Sequence, residues 1–149
     1  MNTSLKWLVL ASVVNLVGNV LGTILALQNN LISDLGGSFH GQNVLQDFLG
    51  TTGTALSAPL PFMLIQLVFT LLVLRAGRAR IIGVGGLIFF GLFYTVAQLL
   101  EKIVLRVWNP SGFDLAQAMV LLINVVTAIA MLVLGIWAWR IIRSAAPSV

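Results

Sequence analysis

Four mostly apolar runs divide the chain, at residues 5–27, 55–74, 81–107 and 115–142. A helix needs about 20 predominantly apolar residues to cross a membrane, and each run is long enough. The pattern predicts four membrane-spanning helices packed as one bundle, with Pro59 and Pro61 in the first turns of the second helix, where proline is tolerated. Since no stretch resembles a linker to a second domain, residues 1–149 are predicted to form a single transmembrane domain of an all-α integral membrane protein.

The longest connection, residues 28–54, joins the first two predicted spans. Within it Val44, Leu45, Phe48 and Leu49 follow the i, i+1, i+4, i+5 spacing of one helix face. This spacing predicts a short amphipathic helix that lies on the membrane surface or caps the bundle. Loops longer than about 12 to 15 residues are often functional, so we expect a partner or ligand to be met first here.

Polar residues recur within the apolar runs and form one stripe on each predicted helix. A polar side chain in hydrocarbon costs free energy unless it has a partner, so these stripes should face the bundle interior. The candidates for ligand binding are Asn15, Asn19, Gln66, Tyr94, Gln98, Glu101 and Asn124. We favour hydrogen bonding between helices as their role. One alternative is that they line a small polar pocket open toward the outer leaflet, and another is that they line an aqueous path.

Two further patterns concern packing and the one acid within a predicted span. Gly18 and Gly22 form a small-xxx-small pattern, which permits close approach of another helix from the same chain or from a second copy. Glu101 lies 20 residues after Ile81, about 30 Å along a helix, and so reaches the outer membrane boundary. On a continuous helix this acid faces the bundle, while Lys102 extends toward headgroups.

Lysine and arginine residues predict the orientation of the bundle. Six of them fall on one side of the predicted spans: Lys6, Arg75, Arg78, Arg80, Arg140 and Arg143. Lys102 and Arg106 fall on the other side. Because cytoplasmic flanks are enriched in these residues, both termini are predicted to be cytoplasmic, in the cell inner (plasma) membrane. The basic residues form no stripe that could follow nucleic-acid phosphates.

Composition narrows the chemistry. Hydrophobic residues make up 59% of the chain and charged residues 8%, with a mean hydropathy of +1.05, which is typical of an integral membrane protein. Without cysteine there is no disulfide, thiolate metal site or redox dithiol. His40 with Asp34 or Asp47 matches no metal-ligand spacing. With no paired nucleophile and base and no phosphate-binding glycine loop, we expect no catalysis, metal or cofactor.

These observations favour a small non-catalytic protein of the lipid bilayer that acts as a structural or accessory subunit or as an oligomeric scaffold. Its expected partners are further copies of itself or a larger membrane protein. The alternative is a carrier or binder of a small lipid-like or neutral polar molecule in an outer-half pocket. Geometry separates the two, because a binder needs a cavity at the polar layer, whereas a purely structural layer needs only direct contacts between amides.

Overall fold

The computed structural model describes residues 3–35, 39–50, 52–104 and 114–144. The chain is mostly helical within these ranges. The elements, in chain order, are α1 (Thr3–Asn29), β1 (Asp34–Leu35), β2 (Phe39–His40), α2 (Val44–Leu49), α3 (Leu60–Val73), α4 (Arg78–Leu100) and α5 (Leu115–Ser144). The two short strands pair antiparallel, with Asp34 opposite His40.

Three helices, α1, α4 and α5, are long and apolar enough to cross a membrane, with 27, 23 and 30 residues. Their lengths of about 35 to 45 Å exceed the hydrocarbon thickness of about 30 Å. Large apolar side chains such as Val17, Phe89 and Leu122 lie on their exposed faces, whereas Asn15 and Asn124 are buried. Apolar residues outside and amides inside are the arrangement expected in lipid, which confirms the prediction of a helical membrane protein.

The predicted second span begins later than expected. Its helix, α3, starts at Leu60 rather than at residue 55 and is 14 residues long, or about 21 Å. Pro59 occupies its N-cap, and Pro61 lies in its first turn. Proline disfavours helical geometry in the residue before it, and Pro59 itself has an extended backbone with φ −64° and ψ 148°, so the helix does not extend back through Ala58. Residues 54–59 are non-helical, and α3 by itself is too short to cross the hydrocarbon.

The third predicted span ends earlier than expected. A continuous helix over 81–107 is wrong, because α4 ends at Leu100 and Glu101 has an extended backbone with φ −69° and ψ 127°. The main chain pairs instead with the segment after α1, since Lys102 N donates to Asp34 O at 3.2 Å. At its other end α4 begins at Arg78. Residues 105–107 at the end of the predicted span, Arg106 among them, lie outside the described residues.

The long helices pack closely through glycines. A Cβ atom built on Gly91 of α4 would lie 2.6 Å from the backbone nitrogen of Leu132 in α5. One built on Gly83 would lie 2.6 Å from the nitrogen of Val73 in α3. Both distances are shorter than van der Waals contact, so α4 approaches its two neighbours backbone to backbone, as small residues allow in membrane helices.

A short helix, α2, lies within the loop as the spacing predicted. Asn43 caps it, because its Oδ1 accepts hydrogen bonds from the backbone nitrogens of Leu45 and Gln46, both at 3.1 Å. Val44 is buried, whereas Leu45 and Leu49 are about half exposed. The apolar face is therefore covered at one end only, and its placement on a membrane surface stays a prediction.

Candidate functional site

A buried polar layer joins α1, α3 and α5. Gln66 Nε2 of α3 donates to Ser12 Oγ at 3.0 Å and to Asn15 Oδ1 at 3.3 Å, both in α1. Asn15 Nδ2 in turn donates to Thr127 Oγ1 at 2.9 Å and to Asn124 O at 3.2 Å, both in α5. Asn15 and Gln66 thus make direct contacts between helices, which is the geometry of interhelical hydrogen bonding.

Two other candidate amides hold the non-helical segment that precedes α3. Asn19 Oδ1 accepts a hydrogen bond from Ala58 N at 2.7 Å, and Asn124 Nδ2 donates to Leu56 O at 3.0 Å. Backbone that is not helical survives at membrane depth only where protein groups satisfy it. One asparagine supplies the acceptor and the other the donor, so together they replace hydrogen bonds that a helix would have made within itself.

The same segment is inserted well below the end of α1. Thr23 Oγ1 lies 2.8 Å from Ser57 Oγ, and Gly22 faces the carbonyl group of Leu56. Gly22 precedes the last residue of α1, Asn29, by seven residues, or about 10 Å of helix. Residues 54–58 therefore enter the bundle from the loop side and turn there, which shortens α3 at its N-terminal end.

The small-xxx-small pattern of α1 makes its contacts within this chain. Gly18 lies against the Asn124 side chain, and a Cβ at this position would also be 3.3 Å from Ile123. At Gly22 a Cβ would lie 3.0 Å from the carbonyl carbon of Leu56. Gly18 thus allows the close approach of α5, and Gly22 allows that of the inserted segment. Each glycine has a packing role without a second copy of the chain.

A cavity of about 380 Å³ lies between the inserted segment, α3 and α4. Its walls are formed by Asn19, Thr52, Thr54, Ala55, Leu56, Ser57, Ala58, Pro59, Phe62, Phe93, Tyr94, Ala97, Gln98, Glu101 and Leu121. Its volume falls within the range of about 300 to 1,000 Å³ that is typical of small-molecule sites. Such sites are mostly apolar with a few placed polar groups, and this lining has the same character.

Two polar atoms of the cavity wall are buried without a hydrogen-bond partner among the described residues. They are the hydroxyl oxygen of Tyr94, a residue that is 3% exposed, and the amide oxygen of Gln98. Tyr94 packs against Phe90 and Phe93 with ring centroids 5.2 and 5.9 Å away, which holds its ring in place. Three further buried atoms of the described residues are unpartnered away from the cavity: Ser4 Oγ, Gln66 Oε1 and Asn124 Oδ1. Buried polar atoms are nearly always paired, and a molecule in the cavity can reach the two atoms in its wall, so Tyr94 Oη and Gln98 Oε1 are candidate ligand contacts.

Glu101 follows α4 and lies in the wall of the same cavity. Its carboxylate accepts hydrogen bonds from the Ser33 hydroxyl and from Asp34 N, the latter at 3.0 Å, and the residue is 6% exposed. Burial raises the pKa of the Glu101 carboxyl above its ordinary value, the two hydrogen bonds oppose this shift, and the charge of Asp34 adds to it. The acid faces the bundle as expected, although it does so from an extended backbone.

The charged residues near Glu101 lie on or beside the paired strands β1 and β2. Lys102 Nζ lies 2.7 Å from Asp34 Oδ2, so this lysine pairs with the hairpin instead of extending toward headgroups as expected. His40 Nδ1 lies 3.5 Å from the same oxygen, and the histidine side chain is mostly exposed. Within the described ranges no group of three or more histidine, aspartate and glutamate residues could hold a metal ion.

The seven candidate residues thus fall into two sets. The cavity is lined by four of them, Asn19, Tyr94, Gln98 and Glu101. Asn15, Gln66 and Asn124 lie outside its lining and bond to neighbouring helices or to the inserted segment. Sequence reasoning missed the wall supplied by residues 52–59, for which Pro59 and Pro61 were the available signal.

Ligand binding by either set stays a prediction, because none of the comparisons with known proteins supplies a function. No family model matches the chain, and no similar protein was found among the curated proteins or the solved structures.

Proposed function

We propose that the protein is a non-catalytic membrane protein that binds a small amphiphilic molecule in the cavity beside α4. The observation that carries this proposal is the pair of unpartnered polar atoms, Tyr94 Oη and Gln98 Oε1, on the wall of a mostly apolar cavity. An empty cavity of this kind would leave both atoms without hydrogen bonds, at a cost of about 1 to 3 kcal/mol each. A ligand with a polar end and an apolar body removes that cost.

The proposed membrane arrangement has four spans, of which the inserted segment and α3 together form the second. Both termini are proposed to be cytoplasmic in the cell inner (plasma) membrane, because Arg75, Arg78 and Arg80 lie at the turn between α3 and α4. The cavity then opens toward the outer half of the bilayer. In the cysteine-free chain, Ala76→Cys should be labelled from the cytoplasmic side and Gln42→Cys from the outside; the reverse result contradicts this orientation.

A second proposal, a structural or accessory subunit, draws support from the direct hydrogen bonds between α1, α3 and α5. In this role the protein would act as a scaffold beside further copies of itself or a larger membrane protein. The cavity favours the binding function over this one, because a purely structural polar layer has no need of an adjoining cavity.

The binding proposal predicts that a small molecule accompanies the protein when it is extracted gently from its membrane. Ala97 lines the cavity, whereas its neighbour Val96 is exposed on the other side of α4. The phenyl ring introduced by Ala97→Phe should fill the cavity and abolish binding, while Val96→Phe adds a similar ring outside the cavity. Native mass spectrometry should therefore show an extra small mass on the wild-type protein and on Val96→Phe, and none on Ala97→Phe.

The same spectra test the two proposals against each other. An extra mass that persists on Ala97→Phe would place the molecule elsewhere and contradict binding in this cavity. A wild-type protein that carries no small molecule but is a defined oligomer, or is bound to a larger protein, would support the structural role instead. Asn19 and Asn124 are poorer probes of binding, because both hold the backbone of the inserted segment.

A further inference from the structure

We infer that the ligand of this cavity carries a protonated amine: the cavity is a site for an organic ammonium ion with a short hydrocarbon or aromatic body. This inference rests on the proposed function and names the chemical class of its ligand. It follows from three properties of the described cavity wall, namely its unpartnered hydrogen-bond acceptors, an acid as its single charged side chain, and a cluster of aromatic rings.

The backbone donors of the inserted segment are already engaged. The backbone nitrogens of residues 54–58 already donate to the Ser57 and Leu31 carbonyl groups, the Thr54 hydroxyl and the Asn19 amide. Both hydrogens of Asn19 Nδ2 are engaged by the main chain and side chain of Asn15.

Several hydrogen-bond acceptors of the wall, by contrast, are unoccupied. Gln98 Oε1 is unpartnered, and the hydroxyl oxygen of Tyr94 can accept as well as donate. The Glu101 carboxylate has about four acceptor sites, of which two are occupied by Ser33 and Asp34. A ligand that donates hydrogen bonds can pair with all three groups, whereas a ketone or ester can pair only with the donors of Tyr94 and Gln98, and a carboxylate is repelled by Glu101.

The charge of the cavity wall favours an ammonium ligand over an alcohol. Among the described residues of the wall, Glu101 is the only charged side chain, and Lys102 next to it forms an ion pair with Asp34 instead. No lysine or arginine is among the described residues of the wall. A cation in the cavity favours the ionised carboxylate that burial disfavours, whereas an alcohol leaves this charge uncompensated and an anion is repelled.

Aromatic rings complete the site. Phe62 and Phe93 line the cavity with centroids 5.4 Å apart, and the Tyr94 ring lies 5.9 Å from that of Phe93. Ring faces attract cations within about 6 Å, most strongly where water is excluded. Three rings and one carboxylate in the same wall suit a substituted ammonium group, and the remaining apolar wall accommodates its hydrocarbon part.

Tyr94 also supplies the probe for the test, because it is the single tyrosine of the chain and lies in the cavity wall. Protein labelled with 3-fluorotyrosine and placed in lipid nanodiscs gives one fluorine NMR signal from this site. Titration compares 2-phenylethylamine with 2-phenylethanol, which share a carbon skeleton and differ in charge. The amine should bind about tenfold more tightly than the alcohol, with empty nanodiscs correcting both for partition into lipid.

Variants assign the preference to the carboxylate. Glu101→Gln should reduce the amine's advantage to about twofold or less while the alcohol still binds, which also shows that the cavity is folded, and Glu101→Asp should keep the preference because it keeps the charge. Equal affinity of the wild-type protein for both compounds, or an advantage that survives Glu101→Gln, overturns the inference. Should either variant fold poorly, the wild-type comparison still decides.

The failure of this inference is distinct from the failure of the proposed function. If both compounds shift the fluorine signal equally and Ala97→Phe abolishes both shifts, the cavity binds amphiphiles without selecting a cation, and only the inference is overturned. If neither these compounds nor the molecules retained from the membrane change the signal, the binding function itself is overturned.

Discussion

Replacing Asn124 with leucine is expected to lower the free energy of unfolding by about 3 kcal/mol. The substitution removes the amide group that donates to Leu56 O at 3.0 Å and so leaves a buried carbonyl group of the inserted segment unsatisfied. The larger side chain also meets Gly18, which lies directly against Asn124. Reversible unfolding in mixed detergent micelles, followed by tryptophan fluorescence, measures the loss.

Leu122→Ala is the matched control for this variant. Leu122 lies in the same helix and is 61% exposed, so its truncation should change the free energy of unfolding by about 0.5 kcal/mol or less. Equal losses for the two variants would mean that the polar layer contributes no more than a lipid-facing position, and the assignment of Asn124 to the inserted segment would be wrong.

A second large effect is expected at Gly22, where alanine should destabilise the protein by about 2 kcal/mol. The new Cβ would overlap the carbonyl group of Leu56, a backbone group that cannot rotate away. The inserted segment must then shift. This shift weakens the hydrogen bond that Asn19 Oδ1 accepts from Ala58 N and the one between the Thr23 and Ser57 hydroxyls. The same unfolding measurement applies.

Gly85 provides the control for this substitution, because it also lies within a helix but has room for a methyl group. A Cβ at Gly85 meets only the ring of Trp139, at an ordinary 3.5 Å. Gly85→Ala should therefore be neutral or stabilising by about 0.5 to 1 kcal/mol, as expected for glycine in a helix interior. If Gly22→Ala is equally harmless, the close approach of the inserted segment to α1 is contradicted.

The sequence was sufficient to predict which residues face the interior. Tyr94, Gln98 and Glu101 follow one another at helical spacing, and all three line the cavity. Amides such as Asn15 and Gln66 were expected inside the bundle, and both are fully buried. These predictions succeed because hydrocarbon penalises every outward-facing polar group, so the periodicity of polar residues reports the interior face directly.

The sequence was not sufficient to predict where two helices are interrupted. The end of α4 before Glu101 depends on Ser33 and Asp34, which lie 68 and 67 residues earlier and bind the carboxylate. The late start of α3 had a local signal in its prolines, but the burial of residues 54–58 depends on distant asparagines. A local sequence pattern therefore predicts which face of a helix is buried. Hydrogen-bond partners and cavities depend on contacts between residues far apart in the sequence, which no short stretch of sequence contains.

The polar layer also has a consequence for the order in which the chain enters its membrane. Asn15 of α1 bonds to groups of α5 that are 109 and 112 residues further along the chain. At about 5 to 20 residues per second, a ribosome needs on the order of 5 to 20 s to make that stretch. During this time Asn15 lacks these two acceptors, so its amide must be hydrogen-bonded by the insertion machinery or by water until α5 arrives.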